Sequence, residues 1–149
     1  MILISHRGNI NGRNPKREND PKYIEKAIEK GYNVEIDIWM VDGRYMLGHD
    51  VPKYPVSQMW LVDKKEYLWL HAKNYLAFVE LRGLGMNYFW HETDRYTLTS
   101  AGYIWAFPGF DTERTRTIAV SPERFDMKIN KYTCAGVCSD NISKYGGGK

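Results

Sequence analysis

The sequence predicts an α/β fold, a reduced (β/α)8-type barrel in which loops replace several helices of the second half. Eight segments have the length and the apolar or alternating pattern of β-strands, and helical segments separate the early ones. The first three strands lie within residues 1–86, whereas the other five share residues 87–149. A parallel crossover with a full helix takes roughly 30 residues, so most later crossovers must be loops. We expect a single domain over residues 1–149.

The amino-terminal elements are a short strand and a helix. The apolar run at residues 2–4 predicts a buried strand that ends in the polar residues 5–8. Asp20 is a favourable N-cap and Pro21 a favourable first helical residue, so together they predict the start of a helix. Gly31 stands where this helix should end.

The second strand alternates strictly between two kinds of side chain. Residues 33–39 place aliphatic side chains on one face and Glu35, Asp37 and a tryptophan on the other. An Asp-Gly pair then predicts a turn, and residues 45–47 lead from it to His49.

The third strand repeats the alternation. Residues 67–73 place His71 and Lys73 on the same face. Asn74 is a favourable N-cap for a helix over residues 76–81. Strands that alternate with helices in this order imply parallel pairing.

Five further short strands are predicted in the second half. They are residues 87–91, 96–99, 103–107, 117–120 and 135–138. Because an eight-stranded barrel normally takes about 250 residues, this chain would form a stripped-down version.

Charge and hydropathy exclude several classes of protein. The chain has 21 Lys and Arg against 18 Asp and Glu, a net charge of +3, without the concentrated basic stripe of a nucleic-acid-binding protein. Its apolar runs fall far short of the roughly 20 residues of a membrane-spanning helix. Residues 1–9 lack the pattern of a signal peptide. We therefore expect a cytoplasmic protein with no transmembrane segment and no nucleic-acid partner.

The two cysteines are expected to be structural thiols. In a strand, Cys134 and Cys138 would lie about 13 Å apart, at roughly 3.3 Å per residue. A disulfide requires Cα atoms within about 7 Å of each other, so these cysteines should not be bridged. Their spacing, without a second cysteine pair, is also a poor zinc signature.

Chemically active side chains follow three of the predicted strands. They are His6 and Arg7 on the first, Glu35 and Asp37 on the second, and His71 and Lys73 on the third. Each has an ordinary explanation on its own, such as a solvated strand face or a hydrogen-bonded loop. The carboxyl ends of parallel strands, however, meet at one edge of a sheet, so we expect the six residues to form one site.

A set of spaced motifs extends this pattern. It comprises His6-Arg7-Gly8, Glu18-Asn19, Glu35-x-Asp37, Gly43, His49-Asp50, Leu68-Trp69-Leu70-His71-Ala72-Lys73 and Gly136-Val137-Cys138-Ser139-Asp140. These motifs resemble the glycerophosphodiester phosphodiesterase family, whose third-strand motif usually reads Leu-x-Leu-Glu-x-Lys and whose last-strand element reads Gly-x-x-Thr-Asp. Residues 86–130 match the family poorly. The resemblance implies a TIM barrel of the phosphatidylinositol-phospholipase-C-like superfamily and an enzyme that hydrolyses phosphodiesters.

The resemblance implies a cation site and a phosphate site. Glu35 and Asp37 would hold a divalent cation, Mg²⁺ or Ca²⁺, because these hard ions prefer carboxylate oxygens. Arg7 and Lys73 would bind the anionic phosphate, Arg7 as a planar donor and Lys73 as a point charge.

The resemblance also implies acid–base catalysis. His6 and His49 would serve as base and acid, since imidazole titrates near neutral pH. Asp50 would orient His49 or brace its loop. Glu18 and Asn19 would orient the metal ligands, although they also precede the first helix, where a capping role competes.

One position departs from the family motif. His71 stands where the family has a third metal-binding glutamate. Imidazole binds Mg²⁺ weakly and suits Mn²⁺, Zn²⁺ and other transition metals. Either the metal preference shifts, or His71 binds phosphate, or the site is degenerate and binds without turnover.

The sequence thus predicts a metal-dependent phosphodiester hydrolase that acts on a small phosphodiester or an exposed head group. Two alternatives stay open, a lyase that releases a cyclic phosphate and a non-catalytic phosphate-binding module. The presence of both His6 and His49 favours an enzyme, because binding alone needs no acid–base pair. The short later loops predict an open, shallow mouth.

Overall fold

The computed structural model describes residues 1–112, 114–129 and 133–147. Within these residues, ten strands form one mixed sheet that curls into a half-barrel, accompanied by three α-helices. The strands are β1 (Ile2–His6), β2 (Asn33–Val41), β3 (Arg44–Leu47), β4 (Tyr54–Val56), β5 (Leu68–Ala72), β6 (Tyr88–Phe89), β7 (Tyr96–Leu98), β8 (Ile104–Ala106), β9 (Thr117–Val120) and β10 (Gly136–Ser139). The helices are α1 (Pro21–Glu29), α2 (Gln58–Asp63) and α3 (Tyr75–Gly83), with 3-10 turns at Pro122–Phe125 and Ile142–Tyr145.

A run of parallel strands forms the body of the sheet. Its order is β6-β5-β2-β1-β10-β9-β8. The carboxyl-terminal half of β2 pairs antiparallel with β3, and β3 pairs antiparallel with β4. Strand β7 pairs antiparallel with β8 at the other edge. The carboxyl ends of β1, β2 and β5 consequently lie side by side.

The sequence-based prediction of a reduced TIM (β/α)8-type barrel is wrong. Among the described strands, β6 pairs only with β5 and β7 only with β8, so no ladder joins the two edges. Strands β7 and β8 form an antiparallel hairpin, because residues 99–103 between them are too few for a parallel crossover. The described α-helices all lie within residues 21–83, and none accompanies the strands that follow. The eight predicted parallel strands are therefore replaced by an open, mixed sheet.

The predicted N-caps of α1 and α3 and the predicted end of α1 are confirmed. The Asp20 side chain accepts a hydrogen bond from the Lys22 N–H and caps α1. Gly31 follows the end of α1 with a φ of +84°, a conformation that glycine adopts without a Cβ clash. Asn74 Oδ1 accepts from the Ala77 N–H and caps α3.

Two elements near the middle of the chain were not predicted. Strand β4 has three residues, one of them a proline, and α2 has six residues. Neither is long enough to show a clear hydrophobic period. Strand β4 extends the β2–β3 pair into an antiparallel meander beside the site.

The sheet separates two apolar layers, as the alternation in β2 predicts. On the outer face, Val34, Ile36 and Ile38 pack with the helices, including Ile24 and Leu81. The inner face carries a smaller cluster, Ile4, Trp69, Phe89, Trp105, Ile118 and Cys138. Glu35 and Asp37 are buried without belonging to either cluster.

Two further expectations concern cysteines and membrane spans. Cys134 and Cys138 are both buried and unbridged, which confirms the prediction of no disulfide. The described helices have at most nine residues, so none of them could span a bilayer.

Candidate functional site

The carboxyl ends of three adjacent strands bring the predicted residues together. Strand β2 lies between β1 and β5, with His6 in register with Glu35 and Asp37 in register with His71. Successive residues of a strand point to opposite faces, so Glu35 and Asp37 share the inner face. Parallel pairing then places the side chains of all three strands at one edge of the half-barrel.

Glu35, Asp37 and His71 form a buried cluster that could hold a cation. Their candidate ligand atoms all lie within 4.8 Å of one another. His71 Nδ1 is 3.2 Å from Asp37 Oδ1 and 3.9 Å from Glu35 Oε1. Glu35 Oε2 is buried without a hydrogen-bond partner among the described residues. A buried carboxylate oxygen left in this state is costly, and a bound cation would remove the cost.

The two carboxylates of the cluster differ in their electrostatics. Burial, reinforced by the charge of Asp37, raises the pKa of Glu35. Burial would also raise the pKa of Asp37, but the His71 hydrogen bond and the Arg7 charge outweigh it and hold that pKa well below its usual range. Asp37 is thus the permanent anion of the cluster, whereas Glu35 gains most from an added positive charge.

Arg7 and Lys73 both face Asp37. Arg7 Nε lies 2.8 Å from Asp37 Oδ2, and Lys73 Nζ lies 3.7 Å from Asp37 Oδ1. Arg7 Nη1 also donates to Glu18 Oε2 at 3.2 Å. The backbone of Arg7 has a φ of +55°, a left-handed conformation that is uncommon outside glycine. The two cations predicted to bind phosphate therefore lie beside the acidic cluster.

The predicted supporting residues Glu18 and Asn19 contact these groups directly. Asn19 Nδ2 donates to Asp37 Oδ2 at 2.9 Å, and Asn19 Oδ1 accepts from the Asp37 N–H at 3.0 Å. Asn19 thereby fixes the orientation of Asp37. Glu18 accepts hydrogen bonds from Asn9 and Arg7; burial would raise its pKa, but these bonds outweigh burial and lower it.

His6 forms a dyad with Asp140, to which the sequence analysis assigned no role. His6 Nδ1 donates to Asp140 Oδ1 at 2.7 Å, and Asn9 Nδ2 donates to the same oxygen at 2.8 Å. Burial opposes ionisation of Asp140, but the hydrogen bond and charge of His6 outweigh it and lower the pKa of Asp140 to about 2. The signal for Asp140 was its place directly after β10, at the same edge as Arg7.

His49 reaches the site from the loop after β3. Its Nδ1 lies 2.6 Å from Asp50 Oδ1, and both side chains are exposed. Gly48 accepts a hydrogen bond from Trp39 Nε1 through its carbonyl at 2.6 Å, which ties this loop to β2. His49 lines the same cleft as His6, but it lies in a loop, whereas His6 is the last residue of β1.

The cleft above the cluster measures about 500 Å³. His6, Arg7, Glu35, His49, His71 and Lys73 all line it, together with residues that the sequence analysis did not select, among them Arg13, His91, Trp105, Phe107 and Arg124. These six predicted residues thus line one open cleft, with arginines and aromatic side chains on its walls, whereas Asp37 is buried and does not line it.

His91 stacks against His71. Their ring centroids are 4.6 Å apart with an interplanar angle of 8°. Burial, together with the charges of His71 and Lys73, lowers the pKa of His91 to about 4. Its position at the end of β6 was the available signal, but an isolated histidine after a two-residue strand carries little information.

Comparison of the chain with protein-family models, with curated proteins and with solved structures finds no match. The function must therefore be argued from the geometry of the site.

Proposed function

We propose that this protein is a metal-dependent phosphodiester hydrolase. The observation that carries the proposal is the buried Glu35–Asp37–His71 cluster, in which Glu35 Oε2 has no hydrogen-bond partner among the described residues. Two further histidines, His6 and His49, line the same cleft and supply an acid–base pair. A cation site next to such a pair suits the chemistry of an anionic diester, which needs charge neutralisation and proton transfer together.

Glu35, Asp37 and His71 would hold the cation. When bound, a divalent cation polarises a phosphoryl oxygen and neutralises the charge that develops on it. Asn19 keeps Asp37 in place through two hydrogen bonds, a typical arrangement around a ligating carboxylate. Mg²⁺, Ca²⁺ and Mn²⁺ are the ions to consider for a site with two carboxylates.

His6 is the proposed general base. A carboxylate can only accept hydrogen bonds, so His6 Nδ1 carries the proton in its contact with Asp140. The neutral ring then has its lone pair on Nε2, which lies 3.7 Å from Glu35 Oε2 at the floor of the cleft. Nε2 can accept the proton of the attacking hydroxyl, while Asp140 stabilises the imidazolium that forms.

The remaining residues bind the substrate and protonate the leaving group. Lys73 and Arg7 place positive charge beside the cluster, where the phosphate would lie. His49, oriented by Asp50, is the proposed acid for the departing alkoxide. Its exposed loop would let it approach after the substrate has entered.

The open cleft favours a small phosphodiester or an exposed phosphodiester head group as substrate. Its lining mixes cations with Trp105 and Phe107, which suits an anion attached to a less polar group. We include a cytoplasmic location in the proposal, supported by the unbridged Cys134 and Cys138. The small net charge of +3 supports a partner other than nucleic acid.

A non-catalytic phosphate-binding module is the second candidate. Asp37 already lies within 3.7 Å of Arg7, Lys73 and His71, so these side chains can balance its charge without a metal. Such a module would bind phosphate and leave diesters intact. A lyase that releases a cyclic phosphate differs from the hydrolase only in its product.

Calorimetric titration tests the cation site first. Mg²⁺, Ca²⁺ and Mn²⁺ are titrated into chelator-treated wild type and into a Glu35→Gln/Asp37→Asn variant. We expect one ion per chain in the wild type and none in the variant. Asp63→Asn/Glu66→Gln is the matched control, because it removes two carboxylates of exposed residues outside the cleft. Equal binding to all three proteins would contradict the site.

Phosphorus NMR then separates the candidate functions. Wild type and His6→Ala are incubated with simple diesters and each ion that binds. A hydrolase yields a monoester, a lyase yields a cyclic phosphate, and a binding module yields neither. Turnover that is absent from wild type with every ion would reject the enzyme.

A further inference from the structure

The His71 ring packs against two neighbouring rings. Its centroid lies 5.1 Å from that of Phe89 at an interplanar angle of 10°, and 4.6 Å from that of His91 at 8°. His71 is 8% exposed, so packing leaves little room for the ring to turn. The two ring nitrogens therefore have fixed and different surroundings.

The hydrogen bond of His71 Nε2 selects one tautomer. Nε2 lies 3.3 Å from the backbone carbonyl oxygen of His91, which can only accept a hydrogen bond. Nε2 thus carries the proton, and the neutral ring has its lone pair on Nδ1. A backbone carbonyl that holds one imidazole nitrogen in this way is a typical outer partner of a metal-binding histidine.

His71 Nδ1 points into the acidic cluster. It lies 3.2 Å from Asp37 Oδ1 and 3.9 Å from Glu35 Oε1, and Glu35 Oε2 has no hydrogen-bond partner among the described residues. Without a bound cation, a proton on Nδ1 balances these carboxylates, which is the state that gives the His71–Asp37 hydrogen bond; a bound cation would replace that proton and receive the Nδ1 lone pair. The converging atoms are one imidazole nitrogen and carboxylate oxygens.

We propose that this site selects a first-row transition ion, Mn²⁺ or Zn²⁺, over Mg²⁺ and Ca²⁺, with His71 Nδ1 as the selecting ligand and the His91 carbonyl as the group that orients it. Mg²⁺ and Ca²⁺ favour sites made of oxygen ligands, whereas imidazole suits transition ions. Mn²⁺ accepts both kinds of ligand and is the probe of choice. This inference rests on the cation site of the proposed function and adds the identity of the ion.

Pulsed EPR of the Mn²⁺-loaded protein tests the ligand directly. Wild type should show nitrogen modulation from one imidazole, and His71→Glu should bind Mn²⁺ without it. In calorimetric competition, the ratio of the Mn²⁺ affinity to the Mg²⁺ affinity should fall by about tenfold or more in His71→Glu, because changes around metal ligands typically alter metal affinity on this scale. The affinities of divalent transition ions follow the same order at many sites, so a preference seen in the wild type alone does not identify His71 as its cause. The decisive result is the change in the affinity ratio between wild type and His71→Glu.

His91→Phe is the matched control. It retains an aromatic ring against His71 and the backbone carbonyl that holds Nε2, and it removes only the His91 imidazole. We expect its nitrogen modulation and ion preference to equal those of the wild type. Loss of the modulation in His91→Phe would overturn the assignment to His71.

Two outcomes distinguish the role of His71 from the existence of the cation site itself. Mn²⁺ that binds to the wild type without nitrogen modulation would overturn the role of His71 and leave the cation site intact. Wild type that binds none of the four ions would overturn both. The wild-type EPR result needs no variant, so it holds even where His71→Glu fails to fold.

Discussion

The two ends of the half-barrel carry clefts of similar size and different chemistry. The cleft at the carboxyl ends of the parallel strands measures about 500 Å³, and the one at their amino ends about 640 Å³. Aromatic residues line both, Trp105 and Phe107 at one end and Trp69 and Tyr103 at the other. Volume and aromatic lining therefore do not distinguish a functional site in this fold.

Buried charge distinguishes the two clefts. The carboxyl-end cleft lies over Glu35 and Asp37, which are 2% and 0% exposed. The charged residues that line the amino-end cleft, Lys65, Glu66 and Arg82, are all exposed. Solvated surface charges cost little, whereas buried carboxylates need compensation. Among the described residues, carboxylates are buried at the carboxyl-end cleft and not at the amino-end cleft, so variants at the two ends should differ sharply.

The largest expected effect is on turnover by His6→Ala. Removal of a general base should lower kcat by about 10²- to 10⁴-fold. Lys65→Ala, at the amino-end cleft, should leave kcat unchanged. Turnover of a simple diester, followed by phosphorus NMR with the preferred ion, measures both. Equal losses in the two variants would remove the distinction between the ends.

The second effect is on stability. Arg7→Met removes the cation nearest to Asp37 and one of the two that pair with Glu18, and breaking such a buried pair costs up to about 3–5 kcal/mol of unfolding free energy. Arg17→Met is the control, because Arg17 pairs with Asp20 at 2.9 Å on the surface, where a pair is worth about 1 kcal/mol or less. Urea denaturation measures the two values.

Added metal should then restore part of the stability that Arg7→Met loses. A cation that binds the folded state alone stabilises it, and here it also neutralises Asp37. Arg17→Met should show no greater metal response than the wild type. Similar destabilisation by both substitutions would show that the buried charges are not held by Arg7.

The parts of the site predicted from sequence are those with a local pattern. The alternation of residue types in β2 predicts both its apolar face and the face that Glu35 and Asp37 share, because the direction of a side chain in a strand alternates with its position. The caps of α1 and α3 could likewise be identified, since an N-cap side chain bonds to the backbone two or three residues later.

The parts that could not be predicted depend on distant contacts. The His6–Asp140 hydrogen bond joins residues 134 positions apart, so no sequence period reports it. Strands β7 and β8 have three residues each, and so short a run does not indicate whether it pairs parallel or antiparallel. Strand β8 does pair parallel with β9, but β7 pairs antiparallel with β8, so the predicted all-parallel barrel is wrong. The stack of His71 on His91 depends in turn on the pairing of β5 with β6.

The third effect tests the placement of His49. A Cβ on Gly48 would lie 2.1 Å from the Val51 carbonyl oxygen, and the φ of Gly48 is +148°, so Gly48→Ala must shift the loop that carries His49. A displacement of this size should lower kcat by about 10- to 100-fold. The affinity for the metal should stay unchanged, because the cluster lies on strands β2 and β5.

Gly83→Ala is the control for Gly48→Ala. A Cβ on Gly83 would meet nothing within 4 Å, and alanine favours the helix that Gly83 ends. We expect unchanged kcat and equal or higher stability. A kcat for Gly48→Ala that equals the wild-type value would show that His49 need not be held in place for catalysis.

The smallest effect is the pH dependence of stability at Asp140. Its pKa is about 2 in the folded protein, against 3.8 for an unperturbed aspartate. A depressed pKa contributes stability that is fully present above about pH 4 and lost as the pH falls towards 2. Asp140→Asn removes this contribution, on the order of 1–2 kcal/mol, since one pKa unit corresponds to about 1.4 kcal/mol and solvent screens part of it.

The difference in unfolding free energy between wild type and Asp140→Asn should therefore shrink between pH 5 and pH 2. The control is Asp63→Asn, at an exposed position, which should differ little from wild type over the same pH range. A difference for Asp140→Asn that stays constant with pH would show that the variant alters packing, not the charge that orients His6.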